Sequence, residues 1–212
     1  MQRANMGPVY HQNIIHPGLS GAETNALVRA NTIAISRSNA ASSANEAGRY
    51  DEAIRLHQEA LDLKLQAYPD TSVQAGISYN GLGEALLGAG RLQEADEAFA
   101  KALTTRERDG PAVDAAATRD NIGALREAQG RFAEAKEVRL RGKGKNEIMC
   151  GNYKCPTNAM YALSDLQGCG ACKSVFYCSK ACQKQDWIRR HKPLCKAHCA
   201  NAQASNQQTT TG

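Results

Sequence analysis

Apolar and polar positions follow a helical period through most of the first two thirds of the chain, and the pattern recurs. GRYDEAIRLHQEAL at residue 48, GRLQEADEAFAKAL at 90 and GRFAEAKEVRLRGK at 130 begin 42 and 40 residues apart. In each copy an apolar residue follows the Gly-Arg (Tyr50, Leu92, Phe132), and alanine comes three positions later (Ala53, Ala95, Ala135). The second copy continues through Leu92, Ala95, Ala98, Phe99, Ala102 and Leu103. Such i, i+3, i+4 spacing puts one apolar stripe along a helix. An alanine-rich stretch of helical character precedes each copy: RSNAASSANEA, SYNGLGEALLGA or TRDNIGALREAQ. Glycine where one helix ends, with small residues where two helices cross closely, predicts an antiparallel hairpin of two helices per repeat. No heptad persists between the glycines, which argues against a coiled coil. A generic alanine-rich bundle leaves the three recurrences unexplained.

The pattern resembles tetratricopeptide repeats, in the 42-residue form of kinesin-light-chain-like proteins. The matching residues are Gly83 and Gly123 in the first helix, Ala53, Ala95 and Ala135 in the second, and Tyr68-Pro69-Asp70 as the connection between repeats. It covers about residues 34–142 and departs at both ends. Ala41 replaces the first glycine, and the third copy loses its apolar series at Arg139 and Gly142. Terminal units of a repeat array are expected to be atypical. The resemblance implies a solenoid whose concave face, lined by the first helix of each hairpin, receives a polypeptide partner. Asn39, Asn80, Arg119, Asn121 and Arg126 fall on those helices, either as partners for a peptide backbone or as ordinary solvated positions.

Composition then divides the chain. All eight cysteines lie after residue 149, so two modules are expected: helical repeats over 21–142 and a cysteine-rich module over 150–195. RGKGKN breaks the helical pattern, and 143–149 reads as a linker. The first 20 residues and the polar tail 196–212 are expected to be disordered, and His11 and His16 have no ligand partners nearby. No apolar run reaches signal-peptide or membrane-span length, so the chain reads as intracellular, cytoplasmic or nuclear. In a reducing compartment clustered cysteines are expected to bind metal and not to pair as disulfides.

Those cysteines come in ordered pairs. Cys169 and Cys172 have the two-residue gap with which a tight turn aims both thiolates at one tetrahedral zinc. Cys150 and Cys155 form a wider pair. Cys178 and Cys182, four apart, share one face of a helix for which Ser179 is the N-cap, and His191 with Cys195 repeats that spacing. Four pairs make two sites, and spacing alone permits sequential or interleaved pairing. His198 and Cys199 stand as alternative donors to His191 and Cys195, with Pro193 expected to end the helix and fold the chain back at Cys195. A Cys-His nucleophile is disfavoured, because metal would occupy these groups and no Asp or Asn is placed to orient the histidine.

The pattern C-x4-C-x13-C-x2-C-x5-C-x3-C-x8-H-x3-C, with Val175, Tyr177, Ser179, Gln183, Asp186, Trp187 and Lys192 between the ligands, resembles the MYND-type zinc finger. The resemblance implies interleaved ligation: Cys150, Cys155, Cys178 and Cys182 at one zinc, Cys169, Cys172, His191 and Cys195 at the other. Both Zn2+ ions are then fully coordinated by protein and structural. It also implies a small hairpin between the second and third ligand pairs, and a site for short proline- and leucine-containing peptides. Lys173, Ser174, Val175, Phe176, Tyr177, Gln183 and Trp187 are its candidates, with packing as the competing role for Trp187.

The fold expected is mainly α, a tetratricopeptide-like helical-hairpin solenoid followed by a small two-zinc finger. The function expected is a non-enzymatic adaptor between protein partners, an expectation that extends to transcriptional regulation. Nucleic-acid binding is the alternative. From Arg139 to Cys199 there are 12 Lys/Arg against 3 Asp/Glu, but seven thiolates on two divalent ions leave −3 and lower the surplus to about +6. Aromatic residues there are sparse. A relationship to SET-and-MYND lysine methyltransferases is the third possibility, disfavoured because a catalytic domain of well over 100 residues is not expected in the 17 residues after Cys195.

Overall fold

The computed structural model describes residues 18–209, with side chains to 204. The described chain divides into two compact units between Pro111 and Ala112. The first holds four helices, α1 (Gly21–Glu46), α2 (Tyr50–Leu65), α3 (Val73–Gly88) and α4 (Leu92–Asp109), paired as the hairpins α1–α2 and α3–α4. A capping box starts α1: Ser20 Oγ accepts the Glu23 amide while Glu23 Oε2 accepts the Ser20 amide at 2.8 Å.

The recurring Gly-Arg has a conformational cause. Gly48 and Gly90 both take φ near +76°, open to glycine without a Cβ penalty. The following arginine amide then reaches back to the helix just completed, Arg49 to the Ala44 carbonyl and Arg91 to the Leu86 carbonyl, at 2.9 Å each. This closes one helix and starts the next. Where the second hairpin closes, Gly83 faces the buried ring of Phe99, and a Cβ at 83 would lie 2.7 Å from that ring. Gly83→Ala is expected to lower the urea midpoint followed by far-UV circular dichroism. Overpacking of roughly 1–3 kcal/mol outweighs the approximately 1 kcal/mol gained in helix propensity; a raised midpoint would mean that Phe99 yields.

The second unit starts with a hairpin of α5 (Ala112–Ala128) and α6 (Phe132–Leu140), turned by Gly130 at φ 77° with Arg131 donating to the Arg126 carbonyl at 2.7 Å. Four two-residue strands follow: β1 (Ile148–Met149) with β2 (Met160–Tyr161), and β3 (Gln167–Gly168) with β4 (Phe176–Tyr177), both pairs antiparallel. Helix α7 (Lys180–Asp186), a π-turn (Trp187–His191) and α8 (Lys192–Thr209) complete it. Ile148, Leu166 and Phe176 form one apolar cluster, which Leu140 of α6 joins. The third hairpin and the cysteine-rich module therefore share an interior.

Several expectations meet a different structure. Residues 143–145 form a hydrogen-bonded 3-10 turn, with Lys145 and Glu147 amides both on the Gly142 carbonyl and Asn146 in the left-handed region. Arg119 Nη2 reaches the Glu147 carbonyl at 3.3 Å, so this stretch is tied down where glycine and lysine content reads as flexible. Disorder expected for the tail is replaced by helix to Thr209. Composition takes no account of the folded segment before it, from which helix propagates without a new nucleation step, and His198 stacks on Phe132 at 4.0 Å. Pro193 does not end the helix. It follows on the π-turn, where the Lys192 amide bonds the Trp187 carbonyl five residues back, and the helix runs on through it without a break. The disorder expected for 1–20 falls on residues outside those described, apart from the turn and cap at 18–20.

Of the five polar residues assigned to the concave face, Asn80, Arg119 and Asn121 are buried, Arg126 is half-buried, and Asn39 is exposed. Asn80 Nδ2 donates to Glu84 at 2.7 Å, and Arg126 Nη1 donates to Gln129 at 2.9 Å. Such side chains are held within the fold.

Candidate metal centre

Two clusters of four donors come together. Cys150, Cys155, Cys178 and Cys182 form one, Cys169, Cys172, His191 and Cys195 the other, and within each the ligand atoms all lie within 4.8 Å of one another. The short elements account for this convergence. Gly151 donates to the Phe176 carbonyl at 2.7 Å and Cys169 to the Val175 carbonyl at 2.9 Å, pinning the Cys150 and Cys169 segments to the strand that leads to Cys178. Ser179 Oγ accepts the Cys182 amide at 3.2 Å, capping α7 so that Cys182 in its first turn comes back to Cys178 just before the cap, 3.6 Å between the sulfurs. Lys173, at φ 56°, turns the chain sharply after Cys172. The Asn152 side-chain amide donates to Gln185 at 2.8 Å and accepts the Lys154 backbone amide at 3.1 Å, bracing the wide first pair.

The donor geometry fits zinc. Tetrahedral zinc with Zn–S of roughly 2.3 Å places two thiolates about 3.75 Å apart, and a thiolate and an imidazole nitrogen about 3.5 Å apart. The structure has Cys155–Cys178 and Cys178–Cys182 at 3.6 Å, Cys169–Cys195 at 3.9 Å, and Cys172 Sγ to His191 Nε2 at 3.4 Å. These are far from the sulfur–sulfur bond of about 2.05 Å in a disulfide, and all eight cysteines are unpaired. The two tetrads thus match two zinc ions in interleaved ligation, one site all-thiolate and the other three thiolates with an imidazole, here called the histidine site. Cys199 and His198 belong to neither; Cys199 packs against the core of the module and His198 against Phe132.

Around the histidine site lies an ion-pair network that the ligand spacing does not reveal. Glu127 on α5 is 1 % exposed, and its Oε1 accepts from Arg139 Nη1 at 2.6 Å and from Ser174 Oγ at 3.0 Å. Its Oε2 accepts from Arg190 Nη1 at 2.5 Å and lies 3.4 Å from His191 Nδ1. Arg139, 3 % exposed, also donates to Asp120 at 2.8 Å and to the Ser174 carbonyl at 2.9 Å. Arg190 grips Asp186 with two nitrogens at 3.1 and 3.0 Å, and Tyr177 donates to the same carboxylate at 2.7 Å. Burial alone would raise the Glu127 carboxyl. The Arg139 charge, with His191 and Arg190 beside it, outweighs that and holds it well below the usual carboxylate range. Burial and then the Asp186 charge push the Tyr177 hydroxyl above its ordinary value, so it stays a donor.

A sequence signal for this network exists. Glu127 stands 40 residues after Leu87 and Arg139 stands 40 after Phe99, so charge replaces apolar residues at matching repeat positions. Gly123 makes room for the change, since a Cβ there would lie 2.6 Å from the Arg139 guanidinium.

The seven candidate peptide-contact residues separate into two groups. Ser174, Val175, Phe176 and Tyr177 are buried, Val175 and Tyr177 in the core between the tetrads and Ser174 against Glu127. Both faces of this short strand are covered in this unit. Lys173 is exposed, and Gln183 and Trp187 are half-buried. Ile188, next to Trp187, is 70 % exposed.

Residues 32–108 match the tetratricopeptide repeat family and residues 149–195 match the MYND finger. The chain carries a tetratricopeptide repeat region followed by a MYND zinc finger, and the third hairpin lies between the two matched segments. It is similar to the N-lysine methyltransferase SMYD2 of Gallus gallus, 49 % identical over 45 residues, which is 21 % of this chain and 10 % of that protein. It is also similar to the SET domain and MYND-type zinc finger protein 6 of Schizosaccharomyces pombe, 51 % identical over 41 residues, 19 % of this chain and 8 % of that one. Both matches are to the finger, and they span a tenth or less of the curated relatives' length. No solved structure matches the chain.

Proposed function

We propose that the chain is an intracellular, non-catalytic adaptor, in which the finger binds short proline- and leucine-containing peptides of partner proteins and the helical repeats bind a second polypeptide. The observation that carries this reading is the surface at Gln183, Trp187 and Ile188. Gln183 and Trp187 are one helical turn apart and half-buried, and Ile188 beside them is the most exposed large apolar residue among those described. A half-buried indole next to an exposed aliphatic side chain, with the Lys173 ammonium on the same small module, suits an apolar peptide with a polar flank. The zinc ions serve shape: each tetrad supplies four protein donors and leaves no open position for a water or substrate. Among the described residues no helix is long and apolar enough to cross a membrane. The methyl-transfer activity in the name of one relative is not part of this reading, since the similarity covers the finger alone.

Trp187 is the only tryptophan, so its emission reports binding directly. Titrating a proline- and leucine-containing peptide into the zinc-loaded chain is expected to shift that emission. In an anisotropy assay with labelled peptide, Ile188→Asp and Trp187→Ala are each expected to weaken binding at least about tenfold, as loss of a central apolar anchor does, with two zincs per chain retained. Wild-type affinity in both variants would remove the finger from the proposal. Tight binding of a duplex oligonucleotide that weakens steeply with salt would favour the nucleic-acid alternative.

A further inference from the structure

We propose that Glu127, a residue of the third helical hairpin, completes the histidine zinc site from outside the finger, by accepting the Nδ1 proton of His191 and so fixing Nε2 toward the three thiolates. The finger's own 46 residues, Cys150 to Cys195, do not place a carboxylate there; the helical hairpin does.

Three observations carry the inference. His191 is fully buried, and its Nδ1 has no partner in ordinary hydrogen-bond geometry, while Glu127 Oε2 waits 3.4 Å away. Its other nitrogen already faces Cys172 Sγ at 3.4 Å. A ligating imidazole bound through Nε2 carries its proton on Nδ1, and an acceptor for that proton sets both tautomer and ring orientation. Second, Glu127 is itself held in place beside the site: Ser174 Oγ donates its one proton to Glu127 Oε1 at 3.0 Å, and Arg139 Nη1 donates to the same oxygen at 2.6 Å, which leaves Oε2 on the side of His191. Third, the charges of the network do not require Glu127 as a counter-ion. Arg139 already has Asp120 at 2.8 Å, and Arg190 already has Asp186 in a two-pronged pair. Glu127 is the third carboxylate against two guanidiniums, and the additional negative charge lies beside the imidazole that a divalent ion would polarise.

The inference makes Glu127 a positioning residue, and its test must separate positioning from general support of the fold. In the full-length chain, Glu127→Ala removes the acceptor, Glu127→Gln keeps an acceptor oxygen without the charge, and Asp186→Asn removes a different carboxylate of the same network. Zinc affinity is read by competition with a chromophoric chelator. Cobalt substitution assigns each release to the all-thiolate or the histidine site by its absorption bands, and the proton on His191 Nδ1 is followed by nitrogen-edited magnetic resonance. Glu127→Ala is expected to weaken the histidine site alone, by roughly 10–100-fold, with Glu127→Gln between it and wild type. The His191 Nδ1 proton should move to higher field in Glu127→Gln and exchange rapidly in Glu127→Ala. Asp186→Asn should leave the affinity of the histidine site and the Nδ1 proton near wild type. Should Glu127→Ala fail to fold, the Gln variant gives the result alone through its histidine-site affinity and proton shift. Wild-type affinity of that site in the Glu127 variants, equal weakening of both zinc sites, or an equal effect of Asp186→Asn would each overturn the proposal.

Discussion

Arg139→Met is expected to destabilise the second unit by about 3–5 kcal/mol, the scale on which removing one partner of a buried ion pair acts. Methionine fills much of the same volume, so the loss is charge and hydrogen bonding more than packing. Arg139 contributes three bonds that a thioether cannot make: to Asp120, to Glu127 and to the Ser174 carbonyl. Two carboxylates would then remain in a dry interior with part of their compensation gone, and the backbone that leads into Phe176 and Tyr177 would lose its tie to α6. Urea unfolding followed by Trp187 emission reads this unit, because the only tryptophan belongs to it. The double variant Arg139→Met with Asp120→Asn should be more stable than the sum of the two single changes requires, since it removes both ends of one pair; coupling in such pairs is about 0.5–3 kcal/mol. A shift below about 0.5 kcal/mol for Arg139→Met, the size of an ordinary surface substitution, would show that these bonds carry little net stability.

That position also shows where the sequence is legible and where it is not. Gly-Arg at 48, 90 and 130, followed by alanine at the sixth position, contains its own explanation: a left-handed glycine, an arginine amide closing the previous helix, and a small side chain where the hairpin meets. Hairpin count and ligand pairs follow from local rules of this kind, because a turn or a four-residue spacing acts over a few residues. Arg139 and Glu127 depend instead on partners 35 and 63 positions away, Ser174 and Arg190. Periodicity reports only that the apolar stripe fails at Arg139, and a failing stripe looks the same at a frayed array end as at a buried ion pair. Lys173 to Tyr177 are candidates through the resemblance alone, and their burial is not legible locally for a related reason. Two-residue strands are too short for alternation to distinguish an inner face from an outer one, and here Ser174 and Phe176 are buried together with Val175 and Tyr177. The tail misleads because its composition alone reads as disorder, whereas α8 continues from a segment that carries two zinc ligands.

Removing zinc is expected to have the largest effect of all, and to have it selectively. Structural zinc contributes roughly 10–16 kcal/mol per site in finger peptides, while a scaffold this small rarely gains more than about 3–5 kcal/mol from its apolar core. Val175, Tyr177 and the cysteines themselves make up much of that core, so without metal the interior consists of thiols and two short apolar side-chain clusters. A strong chelator should therefore release residues 150 to 195, and trypsin should then cut after Lys173, Lys180, Lys184 and Arg189, which the loaded chain protects. Helices α1–α4 contain no ligand and should keep their circular dichroism and resist cleavage. Interleaving adds a finer expectation for Cys182→Ser. The all-thiolate site loses a donor outright, and the 18 residues between Cys172 and His191 become an open loop within the histidine site. Closing a loop of that length costs about 2–3 kcal/mol, so the zinc there should stay bound but with its affinity lowered about 50-fold. Cobalt spectra of this variant should show the bands of the histidine site only. A histidine-site affinity equal to wild type in Cys182→Ser would mean that the two sites fold independently, whereas loss of the histidine-site bands with all-thiolate bands kept would point to sequential pairing, in which Cys182 shares a site with His191.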